Sequence, residues 1–390
     1  MKPNVLTGID ILIESNFEVL KGAKVGLLVN QASVDRNLCH TQDYFVNNKK
    51  FELKALFGPQ HGIYGQTQDN MIEWEGFEDE KNSIPVYSLY GELRQPSDKM
   101  LEGIDTVVID LQDVGARYYT FLWTSYLMLL KCTKLGIRVV VLDRPNPING
   151  LSIEGPILNE DYKSFVGLYS IPIRHGMTMG ELLFMMYKEN GLSSGLTVVT
   201  MKGWRRSMCF EQTFLPWVLP SPNMPTVDTA YVYPGFCLLE GTAMSEGRGT
   251  VRPFEIFGAP YIEPKVLSED LKGIEGLVFR PAFFEPTFQK YKGVLCGGGQ
   301  LHVTDRNAFE SVYTVLKVLA SVLKHWRNEF AWKQPPYEYE YEKLPIDILC
   351  GGTYIREALE SGISAEEIRK SWISQETAFR KRRQDFLLYE

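Results

Sequence analysis

Along the first half of the chain, short runs of β-branched and aliphatic residues alternate with longer stretches whose apolar positions recur every three or four residues. The runs 24-KVGLLVN-30, 52-ELKALF-57, 84-IPVYSL-89, 105-DTVVID-110 and 137-IRVVVLD-143 read as strands, and 197-TVVTM-201 as a further one. Between them 96-PSDKMLEGI-104, 119-YTFLWTSYLMLLKCTKLG-136 and 177-MTMGELLFMMYKEN-190 carry the helical period, the second ended by Gly136. Strands and helices in this alternation predict an α/β fold built on a parallel sheet.

Each predicted strand runs into a polar, Gly- or Pro-rich segment: 31-QAS-33, 58-GPQHG-62, 90-YGE-92, 111-LQDVGARYYT-120 and 144-RPNPING-150. Ligands of open parallel sheets bind at the carboxyl ends of the strands, so these segments converge on one edge, where a site is expected. Residues 204–260 are dense in turn formers and aromatics and are expected to pack over that crevice as ordered loop. From about residue 262 a second α/β pattern begins, with strands near 276-GLVFRPAFF-284 and 301-LHVTD-305 and a helix over 308-AFESVYTVLKVLASVLKHW-326. The glycines 297-GGG-299 before the second of these strands read as a tight turn. Residues 354–388 alternate helical periods with charge, the pattern of a solvated helical tail. The two patterns divide the chain near residue 260, into parts 1–260 and 261–390.

Composition narrows what such a fold could do. With 390 residues, 44% of them hydrophobic, the chain buries a sizeable core and has room for two domains. A net charge of -7 argues against nucleic acid or an anionic membrane as partner, because both need a basic field. Asp10 and Glu14 interrupt the first apolar stretch, which therefore does not read as a signal peptide, and YTFLWTSYLMLL is too short to span a membrane. The six cysteines are scattered singly with no CxxC pair, the usage of a reducing compartment. On these grounds the chain is expected to be cytoplasmic, with its oligomeric state open.

The motifs exclude more than they assign. NQASVD stands where a dinucleotide site would place GxGxxG after the first strand, and no P-loop or GxSxG elbow occurs. No cysteine has a local activating context. His61 and His175 each precede a glycine at a loop or helix start. With Asp110 and Asp113 they could in principle bind a metal, but no HxH or HxxxH spacing supports one, and each also reads as a hydrogen-bonded structural histidine. Asp143 and Arg144 read as an ion pair that fixes the LDRPNPING loop. What remains is a set of carboxylates and arginines: Glu73, Glu75, Glu92, Asp110, Glu154, Glu181, Glu240, Glu246, Arg117, Arg144, Arg174 and Arg248. Carboxylates, amides and aromatics gathered at a crevice suit a saccharide: ring faces stack on the sugar, amides and acids bind hydroxyls, and a carboxylic acid protonates the leaving oxygen.

Read in order, GPQHGIYG, VYSLYG, DLQDVGARYYT, LDRPNPINGLSIEGP, IPIRHGMTMGEL, PSPNMPT, EGTAMSEGRGT and PFEIFGAP resemble the motifs of the exo-acting β-N-acetylmuramidases, a family long catalogued as a domain of unknown function. The resemblance spans roughly Gly22 to Cys350. It implies a Rossmann-like parallel-sheet catalytic domain with a smaller α/β C-terminal domain, no metal or organic cofactor, and a hydrolase of cell wall recycling that releases N-acetylmuramic acid from the non-reducing end of peptidoglycan-derived chains. The loops that carry these motifs are expected to supply the sugar site, with Trp74 as a stacking aromatic and Arg117, Tyr118, Arg144, Glu154, Arg174, His175, Asn223, Glu246 and Arg248 as further candidates for binding substrate, and His61 and Asp110 for assisting the chemistry.

One departure bears on mechanism. Many relatives carry glutamate, in a PEHG motif, where this chain has Gln60, and an amide has no proton to give at any useful pH. The nearby 73-EWE-75 offers Glu73 and Glu75 flanking Trp74, and a glutamate held against an indole in a partly dry loop would have a raised pKa suited to a general acid. The two also read as solvated loop residues. Two functions follow: a glycosidase that uses another acid, or a catalytically silent saccharide-binding relative.

Overall fold

The computed structural model describes residues 5–68, 71–193 and 195–390. Asp69 and Asn70, which belong to the first loop singled out above, lie outside the described residues.

Among the described residues twelve strands occur: β1 (Lys24–Val29), β2 (Glu52–Gly58), β3 (Phe77–Asp79), β4 (Ile84–Ser88), β5 (Thr106–Asp110), β6 (Arg138–Leu142), β7 (Glu154–Ile157), β8 (Pro172–Arg174), β9 (Leu196–Val199), β10 (Ile256–Ala259), β11 (Leu277–Phe284) and β12 (Cys296–Val303). Seven of them form one sheet in the order β3-β4-β2-β1-β5-β6-β9. All neighbours in it run parallel except β3, which lies antiparallel on the β4 edge. The chain winds outward from β1 in both directions, so the order reverses between β1 and β5, as in a Rossmann-like fold. Every residue of β5 is buried, as helices covering both faces require. The helix Thr120–Leu135 buries most of its length and ends at Gly136 with φ 69°, the left-handed cap expected of that glycine.

A smaller antiparallel sheet, β10-β12-β11, and the helix Ser311–His325 follow, and β7 and β8 make a separate pair. Among the described residues no helix is long and apolar enough to cross a membrane.

Four expectations are corrected. Residues 96–104 form only the short 3-10 turn Lys99–Leu101, because Gly103 takes φ 74° straight after it and leaves no room for a longer helix. Residues 204–260 are not all loop: Val227–Phe236 is helical, capped by Thr226, whose hydroxyl accepts the Thr229 N–H. That helix docks on Ser311–His325 through Gly235, where any Cβ would lie 2.0 Å from the Ser311 carbonyl oxygen. The glycines 297–299 stand inside β12 rather than in a turn. Added Cβ atoms there would lie 2.0 Å from the Ile262 oxygen, 2.0 Å from the Phe257 oxygen and 2.1 Å from the Phe279 ring, so these glycines serve close approach rather than chain reversal. Finally, the helical tail is docked rather than solvated: Arg383 donates to the His175 and Gly176 carbonyls, and Tyr389 donates to Asp143 at 2.6 Å. Gly298→Ala is therefore expected to destabilise the protein by at least about 1–3 kcal/mol, the usual cost of overpacking, which urea unfolding followed by circular dichroism would read. An unchanged midpoint would mean that β10 and β12 pack less tightly than described.

Candidate active site

The first loop of interest leaves β2 through Gly58 and turns at once. His61 and Gly62 take φ 70° and 79° in succession, and the Gly62 N–H donates to the Pro59 carbonyl at 3.0 Å. A histidine held in the left-handed region is strained, and such strain gathers at functional sites. Three contacts hold the turn. The hydroxyl of Thr120, the first residue of the long helix, donates to Gln60 Oε1 at 2.7 Å. His61 Nδ1 lies 2.7 Å from the Thr67 carbonyl, which fixes the proton on Nδ1 and leaves the lone pair on Nε2. Trp74 packs behind the turn, its indole N–H donating to the Pro59 carbonyl at 2.9 Å.

Gln60 and His61 open into a recess of about 440 Å³, solvent at its mouth included. Tyr118, Tyr119 and Thr120 form a second wall, and Ser221, Asn223 and Met224 a third. Tyr233, Glu240, Arg248 and Phe254 line it from the segment that follows, and Tyr337 and Glu338 close it from far along the chain. Of the residues singled out in the sequence, the recess thus brings together Gln60, His61, Tyr118, Asn223, Glu240 and Arg248.

The charges in it are matched in a particular way. Arg248, 7% exposed, donates to Glu240 at 2.7 Å, lies 3.3 Å from Glu246 and sits 5.0 Å from the Phe254 ring centre. Glu246 is held in turn by Lys290 at 2.9 Å, and Glu240 accepts the Tyr337 hydroxyl at 2.8 Å. Burial alone would push the Glu240 carboxyl up, but the Arg248 charge and the hydrogen bonds from Arg248 and Tyr337 hold it below its ordinary value. Glu338 differs. Its Oε2 accepts the Tyr90 hydroxyl at 3.0 Å, and burial, with the Glu240 charge adding to it, raises the carboxyl to about 7. Burial, with a smaller contribution from Arg248, pushes His61 down to about 4, so its imidazole is neutral at neutral pH. Two acids in one recess with their titrations pushed apart form the arrangement from which acid and base roles are drawn.

The other candidates lie elsewhere. Glu73 and Glu75 are exposed, Glu73 accepting the Tyr339 hydroxyl at 2.8 Å, and neither lines the recess. Trp74 faces inward, so it props the turn and presents no stacking face to solvent. Asp110 and Arg144 meet in a buried two-bond pair, 2.5 and 2.8 Å, with Thr41 donating to Asp110 at 2.5 Å. Arg144 is thus partnered by Asp110 rather than by Asp143, and Asp143 instead caps the helix Met179–Glu189, accepting from Thr178 at 2.7 Å and from the Gly180 N–H at 2.9 Å. Arg117 spends its guanidinium on the carbonyls of Pro156, Ile171 and Leu349, each at 2.8 Å. Arg174 pairs with Glu154 behind β7 and β8, and Glu154 also accepts the Val312 N–H at 3.1 Å. His175 Nε2 faces Asp113 at 3.4 Å in the interior. Among the described residues no group of three or more His, Cys, Asp or Glu is placed to hold a metal.

Two family models match the chain in sequence, the N-terminal model of the exo-β-N-acetylmuramidase NamZ over residues 25–228 and the C-terminal model over residues 231–389. This chain belongs to the NamZ family. The peptidoglycan β-N-acetylmuramidase NamZ of Bacillus subtilis strain 168 is 45% identical over 390 residues, covering 100% of this chain and 92% of that protein. Two crystal structures of DUF1343 family proteins from Bacteroides fragilis share the fold. One has a TM-score of 0.90 at 33% identity and covers 100% of both chains, and the other has 0.78 at 29% and covers 99% of both. Sequence order had pointed to the family and to the loops, and Glu240 stood among the candidate carboxylates, but nothing pointed to Glu338, Thr120 or Tyr337 as parts of the recess.

The position of Asp110 yields a test of its role. Asp110→Asn leaves the Arg144 guanidinium buried without its counter-charge and is expected to cost about 3–5 kcal/mol of stability. The turnover of the fraction that remains folded should stay close to that of the parent. A large loss of turnover at unchanged stability would return Asp110 to the chemistry.

Proposed function

We propose that the recess holds the terminal N-acetylmuramic acid of a peptidoglycan-derived saccharide and that the chain, a glycoside hydrolase of the NamZ family, releases that sugar from the non-reducing end. The observation that carries the reading is the lining itself. Side-chain amides (Gln60, Asn223), aromatic walls (Tyr118, Tyr233, Phe254), a neutral imidazole and two buried carboxyl groups face one small space. Amides and hydroxyls match a sugar's polar rim, aromatic rings match its C–H faces, and a buried carboxyl pair supplies proton transfer. In this reading the part before about residue 260 carries most of the site, and the part after it supplies the closing turn. A silent saccharide-binding relative is disfavoured, because the loss of a glutamate at position 60 leaves the recess with titratable carboxyl groups of its own.

The direct test is time-resolved product analysis on a glycoside of N-acetylmuramic acid with metal-free protein. Release of the free sugar from the non-reducing end is expected; calorimetric binding without release would favour the silent reading.

Within the site, Arg248 is our choice for reading the lactyl carboxylate that distinguishes N-acetylmuramic acid from N-acetylglucosamine, since a guanidinium pairs with a carboxylate through two parallel hydrogen bonds. Arg248→Lys keeps a charge beside Glu240 and Glu246 but loses the planar fork. It should weaken binding of a muramic acid ligand roughly ten- to a hundredfold, as for loss of about 1.4–2.8 kcal/mol of charge-assisted bonding, while barely altering the ligand whose lactyl carboxylate is an amide. Equal losses for both ligands would confine Arg248 to holding the loop.

A further inference from the structure

We propose that Glu338 is the general acid of this enzyme, in the role that Gln60 leaves vacant. The inference rests on the glycosidase reading and adds to it the identity of the proton donor.

The geometry that supports it begins with the backbone. Glu338 and Tyr339 occupy successive left-handed conformations, φ 44° and 69°, at the tip of a tight turn closed by reciprocal 2.9 Å bonds between the backbones of Tyr337 and Glu340. Two consecutive non-glycine residues there are costly, and the structure sustains them only where the surroundings over-determine the turn. Arg94 lies 3.1 Å from the centre of the Tyr339 ring, and Glu73 accepts the hydroxyl of the same residue. These contacts, together with the Tyr337 bond to Glu240, anchor the turn so that Glu338, only 5% exposed, lines the recess it shares with Gln60 and His61. An exposed loop glutamate would ordinarily point to water; this one is driven inward.

Chemically the carboxyl is set to donate. Tyr90 donates to Oε2, which leaves Oε1 to carry the proton of the neutral form. The charged and titratable groups facing it are Tyr90, Arg94, Glu240, Arg248 and, nearby, Lys333, with His61 and Tyr337 on the same recess. Burial is the largest influence on it and holds the carboxyl protonated up to about pH 7. Glu240, tied to Arg248 and Tyr337, stays ionised and favours positive charge developing on the sugar ring. As the bond from the anomeric carbon to the glycosidic oxygen breaks, its electron pair leaves on that oxygen, which takes the Glu338 proton. Water adds its oxygen to the anomeric carbon and gives its proton to His61 Nε2, from which it returns to solvent as Glu338 is reprotonated.

The test uses Glu338→Gln in the full chain, with a disaccharide whose leaving group is a sugar and an aryl glycoside whose nitrophenolate needs little protonation. Gln keeps an acceptor for Tyr90, so the fold and the affinity for free N-acetylmuramic acid should stay close to those of the parent. Turnover of the disaccharide should fall about 10²–10⁴-fold, the scale of general-acid loss, with a much smaller fall on the aryl glycoside. In the parent, activity on the disaccharide should decline as pH rises through about 7, where Glu338 loses its proton, and Glu338→Gln should abolish that limb. Tyr90→Phe removes a bond that favours the carboxylate and should move the limb upward. An active parent whose Glu338→Gln variant retains both disaccharide turnover and the alkaline limb overturns the assignment alone. A parent inactive on both glycosides overturns the glycosidase reading itself.

Discussion

Much of the site hangs on one buried ion pair, that of Arg248 with Glu240. Taking a guanidinium and a carboxylate out of water costs several kcal/mol per ion, and their attraction offsets this only when the remaining hydrogen-bonding capacity is also met. Here it is met in part by neighbours from other parts of the chain, Tyr337 donating to Glu240 and Lys290 to Glu246, while Arg248 Nε lies 3.3 Å from Glu246 without a hydrogen bond. Lys290 also donates to the carbonyls of Leu239 and Met244, each at 3.0 Å. Satisfying one buried charge thereby fixes the segment 237–250 against the turn at 337–340. The walls of the recess are consequences of that requirement.

The same network sets the titration of the group it positions. Burial chiefly, with the ionised Glu240 making a second negative charge in the recess less favourable, raises Glu338 so that it stays neutral where an exposed glutamate would be charged. On the opposite side of the electrostatic balance, burial and the nearby guanidinium keep His61 neutral. Both residues stand on strained backbone, His61 at φ 70° and Glu338 at φ 44°. Strain of this kind is carried by the packing around it, by Trp74 and Thr67 in one case and by Tyr90, Arg94 and Tyr339 in the other.

Much of the framework was legible because it depends on local pattern. Strand periods, the cap at Gly136 and the run from strand ends into polar turns each follow from the residues that form them. The site was legible only in part, because proximity in space has no local signature. In 337-YEYEYE-342 alternating tyrosine and glutamate give no sign that one glutamate points inward, although the preceding Pro335 and Pro336 mark a turn. Glu73 and Glu75 have the right chemistry beside Trp74, yet the indole is committed to the Pro59 carbonyl and the two carboxylates are left in water. Buried arginines misled for a related reason. Arg117 and Arg174 stand in motifs shared with the family, but their terminal guanidinium nitrogens donate to carbonyls and to Glu154, a demand of burial that residue type alone does not reveal.

The rule that ligands of open α/β sheets bind at the topological switch point explains where this site lies and why it is displaced. The order of the sheet reverses between β1 and β5. Yet the residues that leave those strands fill the crevice themselves: Asn30 donates to the Pro220 carbonyl at 2.6 Å, Ser33 binds the Asp110 carbonyl, and Arg144 closes on Asp110. What remains there is a recess of about 360 Å³, solvent at its mouth included, between Ala32, Gln112 and Trp217. The recess of the candidate site, about 440 Å³ on the same measure, lies beside it past the end of β2, where Gly58 lets the chain turn against Trp74 and the long helix begins with Thr120. The parallel sheet therefore supplies the edge, and the recess is walled by the segments that follow β2 and β5. There a turn from the far end of the chain can reach across and contribute the carboxyl group that position 60 no longer provides.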